Sequence, residues 1–461
     1  MSMHPQWNDW KGVFIRVIPG LLVGENKLQK QLLWSLIRSR FGCFCNNFGG
    51  DRMTSTFRVL EPQPASPDSD VFARLLDAAV KLRPRLAERA RQTELDRRVS
   101  ADVTNLLKEA GLYRVVQPRR FGGYELSLEA LRRLAFELGQ GCASTGWCYG
   151  LSAAASWVVG MFPEQAQLDV WGESPDALIA SCIAPTGKAT PTEGGFRLKG
   201  RWSFGSNSDN AQWLSLGAMV EQGEGAPPRP IFLLVPQADY RIVDTWFTVG
   251  LAGTGSKDIA IEEDVFVPVH RTVAFSEVLE QEAPGADIHD SALYRVPFLS
   301  GFPPLLANPA VAALRGALDE FIESIAARAT RGAFAGGGAS IAQFGHVQSA
   351  VAQAEAAVDA AQLILQRDLQ QVTEWVDGGA KLSNEQRIKL RRGHAFAVRL
   401  CVEAINALYD VVGGTGIQLD SGIQRAWRDI NAVAHHISVN WHAVSTMYGQ
   451  MRLGLPPRGQ Y

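Results

Sequence analysis

An α+β fold in three successive stretches, helical, β and helical again, is what this sequence predicts. Three patterns carry the prediction. Between Val71 and Trp171 apolar residues recur at three- and four-residue steps, the spacing of one helix face. From Pro175 to Pro268 short β-branched and aromatic runs alternate with glycines, as in a small barrel or sandwich. From Asn308 onward come long Ala-rich helical segments, enough for an antiparallel four-helix bundle. At 461 residues the chain is too long for one simple core. The patterns divide it into 71–174, 175–285 and 295–453, with 454–461 as a tail.

Taken in order, residues 1–52 stand apart. Trp7, Trp10 and Trp34 mix with basic residues without a period, and Arg16, Pro19 and Gly20 interrupt the apolar run Val13 to Val23. That run is too short and broken for a membrane span and lacks the order of a signal peptide. Met53-Thr54-Ser55 reads as a more conventional start, so 1–52 is expected to be a non-native or disordered extension, with an amphipathic membrane anchor as the lesser alternative, and 53–70 a leader. Leu75, Leu76, Ala79, Leu82 and Leu86 then mark a first helix, and Ser100 is a cap candidate for the next. Leu126 to Leu138 and Trp147 to Phe162 continue the helical part up to Pro163.

Strands are expected at Ala177–Ile183, Phe196–Trp202, Trp213–Val220, Ile231–Val235 and Ile259–Val267. A polar loop from Glu277 to Tyr294 leads to helices at Pro309–Arg328, Gln343–Asp377, Asn384–Val412 and Ile423–Met451. A net charge of −2 offers no basic excess for a phosphate backbone, which argues against nucleic acid as a partner. Six scattered cysteines fit neither a disulfide framework nor a metal site; Cys43-x-Cys45 lacks a second ligand pair. The free thiols fit a reducing cytoplasm.

The densest chemistry lies in Gly200-Arg201-Trp202-Ser203-Phe204-Gly205-Ser206-Asn207, a turn that runs straight into the strand at Trp213. An indole such as Trp202 beside a small hydroxyl suits a flat heteroaromatic ring, its face covered and its edge bonded. Two more segments follow: Gly250-Leu251-Ala252-Gly253-Thr254-Gly255-Ser256 and Arg425-Ala426-Trp427-Arg428-Asp429. The first is no phosphate-binding loop, because no Lys-Ser/Thr stands at the required spacing. Beyond the second lie His435 and His436, and a histidine titrates near working pH and suits proton transfer.

In this order and at these separations, the three segments resemble the acyl-CoA dehydrogenase fold, in its flavin-dependent aromatic monooxygenase branch. The resemblance covers roughly 70–461. It implies that Phe204-Gly205-Ser206 is the turn that sets a hydroxyl, here Ser206, at flavin N5. A fixed partner there would prolong a C4a-hydroperoxide by hindering loss of peroxide. It implies that a histidine of the last helix is the base for a phenolic substrate. Counted from Asp429, His436 fits best, with the adjacent His435 turned about 100° away on a helix. Trp147 matches an indole bordering the flavin, and Thr254 and Ser256 fall near cofactor or substrate. Arg331-Gly332-Ala333-Phe334 resembles the element that reaches a neighbouring subunit's flavin phosphate, through Arg331 and Phe334. Gly413, Gly414 and Gly416 match a turn where missing side chains let the backbone approach the cofactor. Asn207 departs from the glycine usual at its position, and Asn tolerates left-handed geometry. Small residues at Ala153-Ala154-Ala155-Ser156 replace an expected histidine, which points to a roomier pocket and a bulkier aromatic or polyketide-like substrate.

The implied function is the oxygenase component of a two-component monooxygenase that uses O2 and reduced FMN or FAD to hydroxylate a small aromatic substrate. No Gly-x-Gly-x-x-Gly dinucleotide fingerprint is present, so a separate NAD(P)H-dependent flavin reductase must supply the cofactor. No metal is implied, and assembly as a homotetramer without a membrane partner is. N-hydroxylation of an amine or amino sugar uses the same fold and stands as an alternative. So does an acyl-CoA dehydrogenase-like oxidoreductase, although the His pair replaces its Tyr-Glu-Gly. A flavin-free helical scaffold is a third alternative.

Overall fold

The computed structural model describes residues 67–221, 227–326, 328–329 and 340–461. The expectations for 1–52, for the leader before Pro67, and for Arg331 and Phe334 lie outside the described residues. Contacts divide the chain after Pro64, and everything described belongs to the second unit.

Helices α1 (Pro67–Asp96), α2 (Ala101–Glu109), α3 (Leu128–Gly141), α4 (Ala143–Val159) and α5 (Glu164–Trp171) make up the first part. Leu75, Ala79 and Leu86 form the buried face of α1, as their spacing requires. Ser127 caps α3 by accepting from Ala130 N–H at 3.2 Å. Ser100 stands at the N-cap of α2 without making that bond; its hydroxyl faces Arg89 instead. Every residue of α4 except Leu151 is buried, so the helix runs through the core and needs small residues. A Cβ at Gly146 would meet Gly139 Cα at 2.6 Å.

The middle part is one seven-stranded sheet: β1 (Ile179–Thr192), β2 (Gly195–Gly205), β3 (Trp213–Val220), β4 (Arg229–Pro236), β5 (Arg241–Val243), β6 (Lys257–Pro268) and β7 (Thr272–Ala274). Their order is β5-β6-β2-β1-β3-β4-β7, antiparallel except for the parallel β1–β3 pair. Inward residues of β1, β2, β3, β4 and β6 meet in a core of their own. In β4 the period of two is complete: Ile231, Leu233 and Val235 enter that core, while Phe232 and Leu234 join the helical one. The strand is therefore apolar from Ile231 to Val235.

Chain returns through α6 (Phe275–Leu279) and α7 (Phe298–Gly301) within the stretch expected to be loop and helix start. Then come α8 (Pro303–Ala326), α9 (Gly345–Asp377), α10 (Asn384–Val411), α11 (Gly422–Ala434) and α12 (Trp441–Arg452). Helix α8 starts at Pro303 rather than at the expected Pro309, which lies inside it. The expected single helix Ile423–Met451 is two: α11 stops at Ala434, and Asn440 restarts the chain by accepting from Ala443 N–H at 3.2 Å. Helices α8, α9, α10 and α11 pack as a bundle, and α3 and α4 pack on α8, so both helical parts share one core. The tail is not loose, because Tyr461 packs on a small cluster between α10 and α12. No described helix is long and apolar enough to cross a membrane.

Candidate functional site

Strand β2 ends in a bulge. Its register against β6 shifts between Trp202 and Gly205, and Phe204 takes φ +69°. In a regular strand Phe204 would follow Trp202 to the same face. The bulge turns it outward instead. Trp202 stays in the sheet core, 1% exposed, with its indole N–H on Gly217 O at 2.6 Å and its ring against Gly187 and Gly200. Phe204 is 67% exposed and meets Trp246 edge-on, with centroids 6.1 Å apart. The expectation that Trp202 covers a ligand ring is therefore corrected: strand alternation holds it inside, and Phe204 is the ring presented beside Ser206. Asn207 follows at φ +62°, the left-handed geometry that asparagine tolerates. Its backbone N–H bonds Thr254 O at 3.0 Å and its side chain bonds Ser152 Oγ at 2.9 Å.

The glycine-rich loop before β6 is laid against this turn. Gly250 passes the middle of α11, where a Cβ would lie 2.3 Å from Arg428 O, and Gly253 passes α1 and α4. Asp429 Oδ1 takes the N–H of Leu251 at 2.6 Å, holding that non-glycine residue at φ +52°. Burial pushes the Asp429 carboxyl up to about 6. Arg428 grips Val249 O at 2.6 Å and pairs with Glu94. Thus anchored, the loop presents two hydroxyls to Ser206. Ser206 Oγ lies 2.7 Å from Ser256 Oγ, Ser256 Oγ lies 2.7 Å from Thr254 Oγ1, and Thr254 donates to Leu251 O at 2.8 Å. From α4, Trp147 donates its indole N–H to Ser206 Oγ at 3.1 Å. All four side chains are buried.

His436 completes the cluster, its ring centroid 5.9 Å from that of Trp147. It lies beyond the end of α11, in the turn that separates it from α12. Ser438 N–H donates to His436 Nδ1 at 3.2 Å, so the neutral ring carries its proton on Nε2. Burial, with Arg391 nearby, lowers its pKa to about 4. Arg391 reaches across from α10 and donates to Ser438 O at 3.0 Å. His435 is exposed and caps α11 through Nδ1 on Asn431 O at 2.7 Å. The pair thus separates as expected, though by the end of a helix rather than by rotation along one.

Set beside known proteins, residues 76–173 match the family described as acyl-CoA dehydrogenase, N-terminal domain, and residues 305–441 its C-terminal domain. The FADH(2)-dependent resorcinol hydroxylase, oxygenase component, of Rhizobium sp. (strain MTP-10005) is 44% identical over 87% of this chain and 98% of its own. The flavin-dependent monooxygenase oxygenase subunit HsaA of Rhodococcus jostii (strain RHA1) is 35% identical over 81% and 97%. The crystal structure of 3-HSA hydroxylase from Rhodococcus sp. RHA1 superimposes with a TM-score of 0.78 at 31% identity, covering 84% of this chain and 98% of that one. The chain belongs to the oxygenase components of flavin-dependent monooxygenases, on the acyl-CoA dehydrogenase fold.

The residues present fit a flavin. A flat ring system needs an apolar cover and few bonding points at its edge. Phe204 gives an exposed ring beside Ser206, whose hydroxyl keeps one hydrogen-bonding position after its two contacts within the cluster. Trp147, Ser206, Thr254, Ser256 and His436 are thus brought together in one cluster. Gly413, Gly414 and Gly416 are not: their turn follows α10, with Gly413 at φ +73° and Arg328 donating to Val412 O at 3.0 Å. Among the described residues it shares no hydrogen bond or ring contact with the Ser206 cluster.

The stretch Ala153 to Ser156 is corrected as well. These side chains are at most 3% exposed, spent on close helix packing within α4, so they give no support to a roomier pocket. A cavity of about 550 Å³ does open between the α3–α4 junction, α8 and α11, beside Arg425 and Asp429. None of the hydroxyl chain lines it. Sequence reading missed Phe204, Ser152, Arg391 and the Trp246-Phe247 pair. Phe247, 71% exposed beneath the Arg97 guanidinium at 3.9 Å, was legible only as an aromatic pair in a polar segment.

Proposed function

We propose that this chain is the oxygenase component of a two-component system that hydroxylates a phenolic ring with O2 and reduced FMN or FAD. A separate NAD(P)H-dependent reductase supplies the flavin. The observation that carries the reading is the cluster of buried Ser206 and Trp147 with half-buried His436, beside the outward-turned ring of Phe204. When bound, reduced flavin supplies the electrons that activate O2. Phe204 would cover its ring and Ser206 would bond its N5, while the buried hydroxyl chain would keep water from that edge. His436, neutral above about pH 4, offers Nε2–H to the phenolic oxygen. That bond favours the ionised, electron-rich phenol, so the histidine acts first as donor rather than as free base. Resorcinol is the first substrate to try, given the name of the relative from Rhizobium sp.. The glycine turn at Gly413–Gly416, with Arg331 and Phe334, serves the phosphate end of a neighbouring subunit's flavin in a cytoplasmic homotetramer. Exposed Ile417 and Leu419, 64% and 63% accessible, support such an interface. Sedimentation of a flavin-competent monomer would contradict it.

Two variants test the division of labour. Ser206→Ala should release more peroxide and less product per flavin oxidised. His436→Ala should keep flavin binding and slow hydroxylation by on the order of a hundredfold, with recovery at high pH where the phenol ionises unaided. Normal hydroxylation by His436→Ala would remove it from the mechanism.

A further inference from the structure

The hydroxyl chain has a direction. Leu251 O is a carbonyl and can only accept; Thr254 Oγ1 approaches it at 2.8 Å, and two oxygens that close repel unless a hydrogen lies between them. The single hydrogen of Thr254 is therefore spent there, even though Trp246 Nε1–H also reaches the same carbonyl at 3.0 Å. The contact of 2.7 Å between Thr254 and Ser256 must then carry the hydrogen of Ser256. With that hydrogen spent, the contact of 2.7 Å between Ser256 and Ser206 must carry the hydrogen of Ser206. At the other end Trp147 can only donate, and it occupies one lone pair of Ser206 Oγ at 3.1 Å. Ser206 is left with no hydrogen to give and one lone pair to receive with. Thr254, Ser256, Ser206 and Trp147 are 1%, 5%, 7% and 6% exposed, so bulk water does not reset these orientations.

We propose that Thr254 and Ser256 are positioning residues that polarise Ser206 into a hydrogen-bond acceptor, so that the site selects flavin carrying a hydrogen on N5, the reduced form, over oxidised flavin. This rests on the reading that sets Ser206 beside N5. Reduced flavin has an N–H at that position and meets the open lone pair. Oxidised flavin has a lone pair there, and two acceptors face each other. The order of the chain thus lets the protein take its cofactor in the form the reductase delivers and release it once oxidised.

The test is the ratio of dissociation constants for oxidised and reduced FAD, from anaerobic titration of the purified chain, with the potential of the bound flavin as the equivalent readout. Thr254→Val keeps the shape but removes the hydroxyl, and Ser256→Ala removes the acceptor next to Ser206. Either frees the Ser206 hydrogen to turn toward the ring. Both should lower the preference for reduced flavin by roughly fivefold or more, the worth of one net hydrogen bond. Thr254→Ser, which keeps the hydroxyl, should retain the wild-type ratio. The proposal is overturned if Thr254→Val and Ser256→Ala keep the wild-type ratio while Ser206→Ala lowers it, because Ser206 then meets N5 without being polarised. If Ser206→Ala also keeps the ratio, the placement of Ser206 at N5 is what fails.

Discussion

Phe204 and Trp202, two residues apart, have opposite fates, and the backbone between them decides which is which. The left-handed φ at Phe204 lifts one ring out of the sheet and leaves the other in it. Trp202→Ala should therefore cost about 3–5 kcal/mol of stability, the usual penalty for emptying a core of a large ring. Phe204→Ala should change stability by no more than about 0.5 kcal/mol while weakening the binding of reduced flavin. Thermal melts and anaerobic titrations of the two variants check this, and the opposite assignment of effects would mean that the indole is the ligand cover after all. At this scale the sequence was partly legible. Ser206, Thr254, Ser256, Trp147 and His436 stand in short motifs whose order is itself informative. A bulge leaves no mark in the residue pattern, so nothing in Trp202-Ser203-Phe204 said which aromatic ring would face out.

Among elements, the break between α11 and α12 matters most to the site. It frees His436 from a helical backbone and lets Ser438 N–H and Arg391 fix the turn that carries it. Its burial there has a pH signature. The folded pKa of about 4 lies below the ordinary 6.5, so the unfolded chain takes up this proton first as pH falls. Between about pH 6.5 and 4 the wild-type protein therefore loses stability through this residue, and His436→Gln does not. The melting temperature of His436→Gln relative to wild type should rise as pH falls through that window; a flat difference would show that the ring is solvated. Helix and strand existence was legible where periods of three to four and of two run for many residues, but the short β5, β7 and α6 carry no such period. The ends were not legible. Pro309 reads as a start but is carried inside α8, and no residue between Ala434 and Asn440 announces a stop.

For the molecule as a whole, the sheet and the two helical parts are legible as composition shifts, but the way they converge is not. The site draws on α4, the end of β2, the loop before β6 and the turn after α11, segments far apart in the chain that meet only through packing. Their convergence makes one claim: this chain needs reduced flavin and O2 from outside and nothing else to hydroxylate a phenol. A single turnover tests it most directly. The protein is loaded anaerobically with photoreduced FAD, without reductase or nicotinamide, then mixed with oxygenated buffer containing resorcinol, and product and peroxide are counted per flavin. Hydroxylated product in near-equal amount to flavin, with little peroxide, is the result this account expects. Complete conversion of the reduced flavin to peroxide, with resorcinol and a panel of other phenols all recovered unchanged, would contradict it.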